Sequence, residues 1–323
     1  METNPQPQQQ PKFNRVVKSM LIYTEIASNK RKTALFITLF LVFIIALGYF
    51  FNVALNNPGI LVFAVLFSVI TALLSYFYSD KITLAISQAK PVTREANQEL
   101  YRTVENLAIT AGLPTPSIYI IEDRAMNAFA TGRDPNHAVI CVTSGLLANT
   151  NKQELEGVIA HEMSHVGNYD IRLSTIIVVL AGLITLLADW FLRFTFFGGA
   201  RRSNDGEGGQ IQIIFLIIGI ALAILSPIIA TIIQLAISRK REYLADASGA
   251  LLTRYPEGLA SALEKIQANQ MPLREANKAT AHLYISNPLQ DRAGKSRGIF
   301  AGLFDTHPPI EERIRRLRSM DLG

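Results

Sequence analysis

The sequence predicts a mainly α-helical membrane protein, with about four transmembrane helices and an α+β domain that contains a small sheet. Three observations predict this class. Of the 323 residues, 49% are hydrophobic and only 18% are charged, whereas soluble domains carry about 25% charged residues. The mean hydropathy is positive, at +0.24. The hydrophobic residues are also concentrated in long charge-free blocks that are separated by sequence of mixed character.

The composition excludes several other classes of protein. A chain this hydrophobic is not intrinsically disordered. It is not a small disulfide scaffold either, because its single cysteine, Cys141, cannot form an internal disulfide. The net charge of +5 is explained by lysine and arginine at the cytoplasmic ends of membrane helices. We therefore expect a lipid bilayer as a partner, and no nucleic acid.

The first membrane region is predicted at residues 33–79, after a cytoplasmic tail at 1–32. This region contains no charged residue, and a polar stretch at 52–59 divides it into two blocks, 33–51 and 60–78. Each block would form a helix of about 28 Å at 1.5 Å per residue. This length is close to the hydrocarbon core of a bilayer, which is about 30 Å thick. The pattern predicts a transmembrane hairpin.

A second transmembrane hairpin is predicted at residues 171–237. Residues 173–188 and 210–238 carry no charge, and the second block contains Pro227, where a kink is expected. The first block is short for a span, so residues 190–192 would extend it into the interfacial zone. The alternative is a hairpin that only dips into the bilayer or packs on protein.

The distribution of basic residues predicts the orientation. Six lysines and arginines precede the first span, and the loop at 52–59 has none. Since basic residues favour the cytoplasmic side, the N-terminus is expected in the cytoplasm. The loop at 193–209 would face outward, although it carries three arginines. The protein is thus expected to be multi-pass, with both remaining stretches on the cytoplasmic side.

Residues 80–170 and 238–323 are predicted to form one composite domain, interrupted by the second hairpin. Gly112 ends a predicted helix at 93–111, and Asn151 with Glu154 forms a capping pair that opens a helix through residue 166. Strands are expected at 117–121, 128–131 and 137–142, the second of them at the sheet edge. Two further helices are expected at 257–267 and 310–319.

Residues 161–165 read His-Glu-Met-Ser-His, which is a metal-binding pattern. On a helix, His161 and His165 lie one turn apart on the same face, so both imidazoles reach one ion. Glu162 follows the first histidine and is placed to act as general base on a water without filling a coordination position. The pattern predicts one Zn²⁺ per chain.

A catalytic zinc site needs a third protein ligand, and Glu242 is the best candidate. Glu242 and Asp246 are four residues apart on a predicted helix. Asp246 would accept a hydrogen bond from a ligand histidine and orient it. If the second hairpin spans the membrane, Glu242 and His161 emerge on the same side. His137 and His282 have no partner at ligand spacing and are interpreted as structural.

With these motifs, the chain resembles the HtpX-type membrane metalloproteases, relatives of the CAAX prenyl proteases. The resemblance covers residues 30–323 and rests on four motifs, at 127–132, 161–165, 238–246 and 306–309. It implies a zincin-like domain in an enzyme of the bacterial cytoplasmic membrane that cleaves membrane proteins, often misfolded or damaged ones. By position, it implies His161, His165 and Glu242 as zinc ligands and Glu162 as the base.

Two further sets of residues are candidates for contact with substrate. Asn127, Ala128 and Phe129 lie at the predicted edge strand, where an extended polypeptide could pair by β-augmentation. His307 precedes two prolines, which stiffen its backbone, and it could donate to an oxyanion or to a carboxylate beside the metal. The alternatives are an ordinary loop–strand junction and a structural histidine.

The leading hypothesis is a membrane-anchored zinc metalloendopeptidase that acts on polypeptides at the cytoplasmic side. One alternative is a protease that processes prenylated proteins. The other is a zinc-stabilised membrane scaffold or adaptor without turnover. Glu162 argues against the scaffold, because a structural zinc site needs no base and favours a closed fourth ligand.

Overall fold

The first two helices form the membrane hairpin. The computed structural model describes residues 12–197, 217–218, 220, 239–269, 271–274, 280–288 and 307–320. Helix α1 is Lys12–Leu55 and helix α2 is Pro58–Ile86. Their apolar segments, Ile26–Val53 and Pro58–Ile86, are long and apolar enough to cross a membrane. Large apolar side chains point outward along both helices, such as Phe63, which is 68% exposed. In water such a surface would be unfavourable, so it fits contact with lipid.

Helix α6, Asp170–Phe197, packs against this hairpin. Ile176 and Leu180 share one hydrophobic cluster with Phe40 and Ile44 of α1. The helix before it, α5 at Lys152–Gly167, meets it at an angle of 81°, and by composition the bent pair could be one broken span. The predicted third span lies within α6. Most of the predicted fourth span, 210–238, lies outside the described residues. Of the four predicted spans, the first two lie on helices that are long and apolar enough to cross a membrane.

A four-stranded mixed sheet lies in the domain that follows the hairpin. Its strands are β1 Lys90–Pro91, β2 Ser117–Ile121, β3 Ala128–Gly132 and β4 Ala138–Thr143, in the spatial order β1-β2-β4-β3. Strands β2 and β4 are parallel, and β3 pairs antiparallel with β4. Phe129 lies opposite Cys141 in this pair. The prediction that the second of the three expected strands lies at an edge is confirmed.

Helices from both parts of the chain cover the sheet and share one core. The remaining helices are α3 Gln98–Ala111, α4 Ser144–Asn149, α7 Arg239–Thr253, α8 Pro256–Ala268 and α9 Ile310–Arg318. Leu100 of α3, Ile159 of α5, Leu263 of α8 and Leu317 of α9 belong to the same hydrophobic cluster. Sequence on either side of residues 171–237 therefore folds together.

Local signals explain where the site-bearing helix begins. The Asn151 side chain accepts from the backbone N–H of Glu154, and the Glu154 carboxylate accepts from the N–H of Asn151. This reciprocal capping box confirms the predicted start of α5. Tyr169, with φ of 59°, lies at the bend between α5 and α6. A left-handed backbone is uncommon for a tyrosine, and the side chains of Lys30 and Arg172 lie over the Tyr169 ring at this bend.

Helix α7 approaches the centre of α5 closely. A Cβ added at Gly249 would lie 2.9 Å from the backbone nitrogen of His161. Real Cβ atoms are almost never this close to backbone, so the lack of a side chain at Gly249 lets the two helices touch. This contact brings the first turn of α7, with Glu242, to the His161 side of α5.

Candidate metal centre and active site

The two histidines and Glu162 lie in the buried half of helix α5. His161 is 1% exposed and Glu162 is 2% exposed. The Nε2 atoms of His161 and His165 are 3.2 Å apart, as expected for residues one helical turn apart on one face. The helix therefore directs both imidazoles into one cleft, which Glu162 also lines.

Glu242 of α7 completes a group of three possible ligands. Its carboxylate oxygens lie 3.9 Å from Nε2 of His161 and 3.6 Å from Nε2 of His165. Among the described residues, these three side chains form the group that could hold a metal ion, with one ligand atom each within 4.8 Å of the others. A tetrahedral zinc site with ligands at about 2.0–2.1 Å has ligand–ligand separations of about 3.3 Å. The observed separations are close to this value.

The outer ring nitrogens fix which imidazole atoms face the cleft. Nδ1 of His161 donates to Asp246 Oδ1 at 2.9 Å, and Nδ1 of His165 donates to Asp170 Oδ2 at 3.0 Å. A neutral imidazole that donates through Nδ1 carries a lone pair on Nε2. The two Nε2 lone pairs then face each other at 3.2 Å. Such an arrangement is repulsive unless a proton or a metal ion lies between them, so the donor set suits a bound cation.

The electrostatics of the cleft favour positive charge near His165. Burial alone would lower the pKa of His165, but the Asp170 hydrogen bond and the Glu242 charge raise it to about 9. Burial raises the pKa of Glu162 to about 7. Burial also opposes ionisation of Glu242, yet the charge and hydrogen bond of His307 hold its pKa well below the usual range. A negative ligand is thus maintained in a buried site.

Arg313 of α9 holds the Asp246 carboxylate in position, a role that no sequence pattern indicated. Its guanidinium is fully buried and forms two hydrogen bonds with the Asp246 carboxylate, at 2.9 and 2.7 Å. The guanidinium also donates a third hydrogen bond, from Nη1 to the carbonyl of Ile285 at 2.9 Å. Bidentate pairing of this kind fixes a carboxylate in orientation. Asp246 lies where it was predicted to act, and Arg313 holds it against His161.

Asp170 was also missed by the sequence patterns. It lies five residues after His165, at the first position of α6, and is 5% exposed. Burial would raise its pKa, but the His165 hydrogen bond and the Arg241 charge lower it. The only indication of its role in the sequence was a carboxylate five residues after His165. The sequence could not show that the bend at Tyr169 turns Asp170 back toward His165.

His307 lies at the cleft beside Glu242. Its Nδ1 donates to Glu242 Oε2 at 2.9 Å. In the part of the chain that the structure describes, its Nε2 atom is buried and has no hydrogen-bond partner. Of the two roles considered, the structure shows the contact with the carboxylate. A donation to an oxyanion would have to come from Nε2 of the doubly protonated ring.

The predicted substrate-binding residues lie at the start of β3, with Asn127 immediately before the strand. Ala128 accepts from the backbone N–H of Ile285 at 2.9 Å, and Asn127 contacts Ser286 at 3.1 Å. Phe129 is fully buried and packs edge-on against Tyr284. These three residues do not line the cleft, whereas Ala130 does. The backbone N–H of Ala130 also donates to Glu162, so Ala130 is the β3 residue nearest the candidate base.

The two histidines interpreted as structural differ in position. His137 lies in a short 3₁₀ helix, Pro135–His137, where its side chain contacts Asp134 at 2.7 Å. His282 is 6% exposed and lines the cleft. Its Nε2 lies 3.4 Å from the carbonyl of Ser174, and burial lowers its pKa to about 4. His282 is therefore a neutral part of the cleft wall, which its isolated position in the sequence did not indicate.

Comparisons with known proteins identify the family of this chain. Residues 94–321 match the model of peptidase family M48. A "Protease HtpX homolog" of Tropheryma whipplei (strain Twist) is 47% identical over 302 residues, which are 93% of this chain and 99% of that protein. Another, of Caldanaerobacter subterraneus subsp. tengcongensis, is 50% identical over 304 residues, with 93% and 98% covered.

Among solved structures, the crystal structure of S. mikatae Ste24p matches with a TM-score of 0.47 and 19% identity, over 91% of this chain and 67% of that one. The family assignment depends on the sequence matches. The matched region contains His161, Glu162, His165 and Glu242, and the relatives named as proteases align over nearly their whole length. The chain therefore belongs to peptidase family M48, and it is a metalloprotease.

Proposed function

We propose that the protein is a zinc endopeptidase of the bacterial cytoplasmic membrane that cleaves misfolded or damaged membrane proteins at the cytoplasmic face. One observation carries the zinc assignment. The two Nε2 atoms face each other at 3.2 Å while both Nδ1 atoms donate to carboxylates, and Glu242 adds a buried negative ligand. Membership of a peptidase family favours turnover over the scaffold alternative.

The chain's own residues supply the proton transfers. Zn²⁺, when bound by His161, His165 and Glu242, supplies Lewis-acid polarisation of the scissile carbonyl and makes a water more acidic. Glu162 accepts the proton of the attacking water and passes it to the leaving amine. A base that must later act as an acid works best near neutral pKa, and burial raises the pKa of Glu162 in this direction.

The substrate backbone is proposed to lie along the part of β3 that reaches the cleft. Ala128 is already paired with Ile285, so an added strand would meet β3 at Ala130, with Asn127 holding the adjoining turn. His307, whose Nε2 is buried and unpaired among the described residues, is proposed to donate to the carbonyl oxygen as it gains charge. A prenylated substrate is the remaining alternative.

Metal content provides the direct test of this proposal. Protein purified in detergent is expected to contain one zinc per chain and to cleave casein or an unfolded membrane protein. Removal of the metal with 1,10-phenanthroline should abolish cleavage and lower the melting temperature, because a ligand bound only by the folded state stabilises that state. Added Zn²⁺ should restore both. Cleavage that persists in metal-free protein would overturn the zinc assignment.

Cysteine labelling tests the proposed orientation. The test uses a Cys141→Ala background. Pro58→Cys places a thiol beside the exposed turn between α1 and α2, and Ile109→Cys places one on the exposed face of α3. A membrane-impermeant maleimide should label position 58 in intact cells. Position 109 is the matched control and should react only after permeabilisation. Labelling of position 109 from outside would contradict a cytoplasmic active site.

A further inference from the structure

A buried polar cluster behind His165 connects the first membrane helix with the candidate metal centre. It consists of Asn29 of α1, Asp170 of α6, Arg241 of α7 and the carbonyl of Asn168. We call it the Asn29 cluster. Asn29 is 1% exposed, and Asp170 and Arg241 are each 5% exposed. Three helices that are distant in sequence thus meet at one point, directly outside a proposed metal ligand.

Both ends of the Asn29 amide are used in this cluster. Its Nδ2 donates to Asp170 Oδ1 at 2.7 Å and to the carbonyl of Asn168 at 3.1 Å. Its Oδ1 accepts from Nη1 of Arg241 at 3.2 Å. A neutral amide satisfies a carboxylate and a guanidinium at once. An aspartate here would place a second negative charge beside Asp170, and an apolar residue would provide neither contact.

The hydrogen bonds divide the two oxygens of Asp170 between separate tasks. Oδ1 accepts from Asn29 and from Arg241, the latter at 3.0 Å. Oδ2 accepts from Nδ1 of His165 at 3.0 Å. Two donors on Oδ1 prevent rotation of the carboxylate, so Oδ2 stays directed at the histidine. Partners of this type fix the tautomer and the ring orientation of a metal-binding histidine.

We propose that Asn29 is a positioning residue that holds Asp170 against His165 and thereby links the first membrane helix to the metal centre. The proposal rests on the proposed zinc site. Helix α1 is continuous from Lys12 to Leu55, and its membrane segment begins at Ile26, three residues before Asn29. The position of α1 in the bilayer therefore bears directly on the orientation of His165.

Zinc affinity of the full-length protein in detergent, measured by chelator competition, tests the proposal. Asn29→Leu removes the three hydrogen bonds, keeps the number of side-chain heavy atoms and leaves the Asp170–Arg241 pair in place. It should weaken zinc binding by about 10–100-fold, the usual loss for an outer partner of a ligand histidine. The visible absorption spectrum of the Co²⁺-substituted protein should also change, since it reports ligand geometry.

Thr33→Val is the matched control. Thr33 lies one turn further along α1, is 4% exposed, and its hydroxyl has no partner within the described residues. This variant should keep the zinc affinity and the Co²⁺ spectrum of the wild type. If Asn29→Leu does not fold, Asn29→Ser is measured instead, because its shorter side chain cannot reach Asp170 and should weaken zinc binding in the same way.

A double-mutant comparison separates action through Asp170 from a general packing effect. In an Asp170→Asn background, Asn29→Leu should cause little further loss of zinc affinity, because coupled residues are not additive. An equal loss in both backgrounds would overturn the proposal, as would wild-type affinity in the Asn29 variants. Wild-type protein that binds no zinc would instead contradict the proposed function, so the two failures are distinguishable.

Discussion

Glu162→Gln is expected to reduce peptide hydrolysis by about 10²–10⁴-fold, the usual contribution of a general base, while zinc remains bound. The amide cannot accept a proton from water. It still offers an oxygen to the backbone N–H of Ala130, which bonds the carboxylate in the native cleft. Since Gln has the same shape and no charge to bury, the variant should fold and melt like the wild type. Zinc analysis and cleavage rates measured on the same preparation check the result.

Glu156→Gln is the control for this variant, because it makes the same chemical change on the same helix. Glu156 is partly exposed and pairs weakly with Lys152, at 3.9 Å. Its replacement should leave both zinc content and cleavage unchanged. A Glu162→Gln variant with full zinc and near-wild-type cleavage would show that another group accepts the proton. Glu162→Gln should also resist any self-cleavage during overexpression.

Local chemistry made much of the fold predictable. The capping pair at Asn151 and Glu154 located α5, and Gly112, with φ of 66°, ends α3 as expected. The predicted strand at 117–121 matches β2. Helix α3, however, begins at Gln98 because Asn97 caps it by accepting from the N–H of Leu100. A predicted start at residue 93 overlooked this cap.

The membrane helices extend beyond the charge-free blocks. The apolar segment of α1 begins at Ile26 and includes Lys30, Arg31 and Lys32, and α2 continues past Asp80 and Lys81 to Ile86. Charges end the hydrophobic run, but they do not end a helix. Lys30 instead lies over the ring of Tyr169, 4.6 Å from its centroid. The lack of charge therefore located the spans but not the ends of the helices.

The inner and outer parts of the site differ in how far sequence could define them. His161, Glu162 and His165 lie within one helical turn, so their spacing alone defined their geometry. Asp170 and Arg313 support the ligand histidines from α6 and α9, and Asn29 of α1 contacts Asp170 across a separation of 141 residues. Only the packing of α1, α6 and α9 around α5 brings them together. No local period in the sequence encodes such contacts.

Glu242→Ala is expected to abolish zinc retention in purified protein and, with it, cleavage. The change removes one of three proposed ligands and the negative charge that offsets the cation. It also leaves the buried ring of His307 without its carboxylate partner. Glu242→Gln separates these effects, because it can still accept from His307 and keeps the side-chain volume. It should fold like the wild type and still lose most of its zinc, as measured by metal analysis after dialysis.

Asp246→Asn provides the graded comparison, since Asp246 is proposed to orient His161 without contacting the metal. Replacement by alanine would leave Arg313 buried without its carboxylate, and removal of one partner of a buried ion pair costs about 3–5 kcal/mol. Asparagine keeps one oxygen that can accept from both Nδ1 of His161 and Nη2 of Arg313. It removes the negative charge, so the protein should be less stable than the wild type but more stable than the alanine variant, and it should bind zinc about 10–100-fold more weakly. The Glu242 variants should therefore be metal-free, whereas Asp246→Asn should still bind zinc with reduced affinity. Full zinc and activity in Glu242→Gln would show that this carboxylate is no ligand and would make Nε2 of His307 the next candidate ligand.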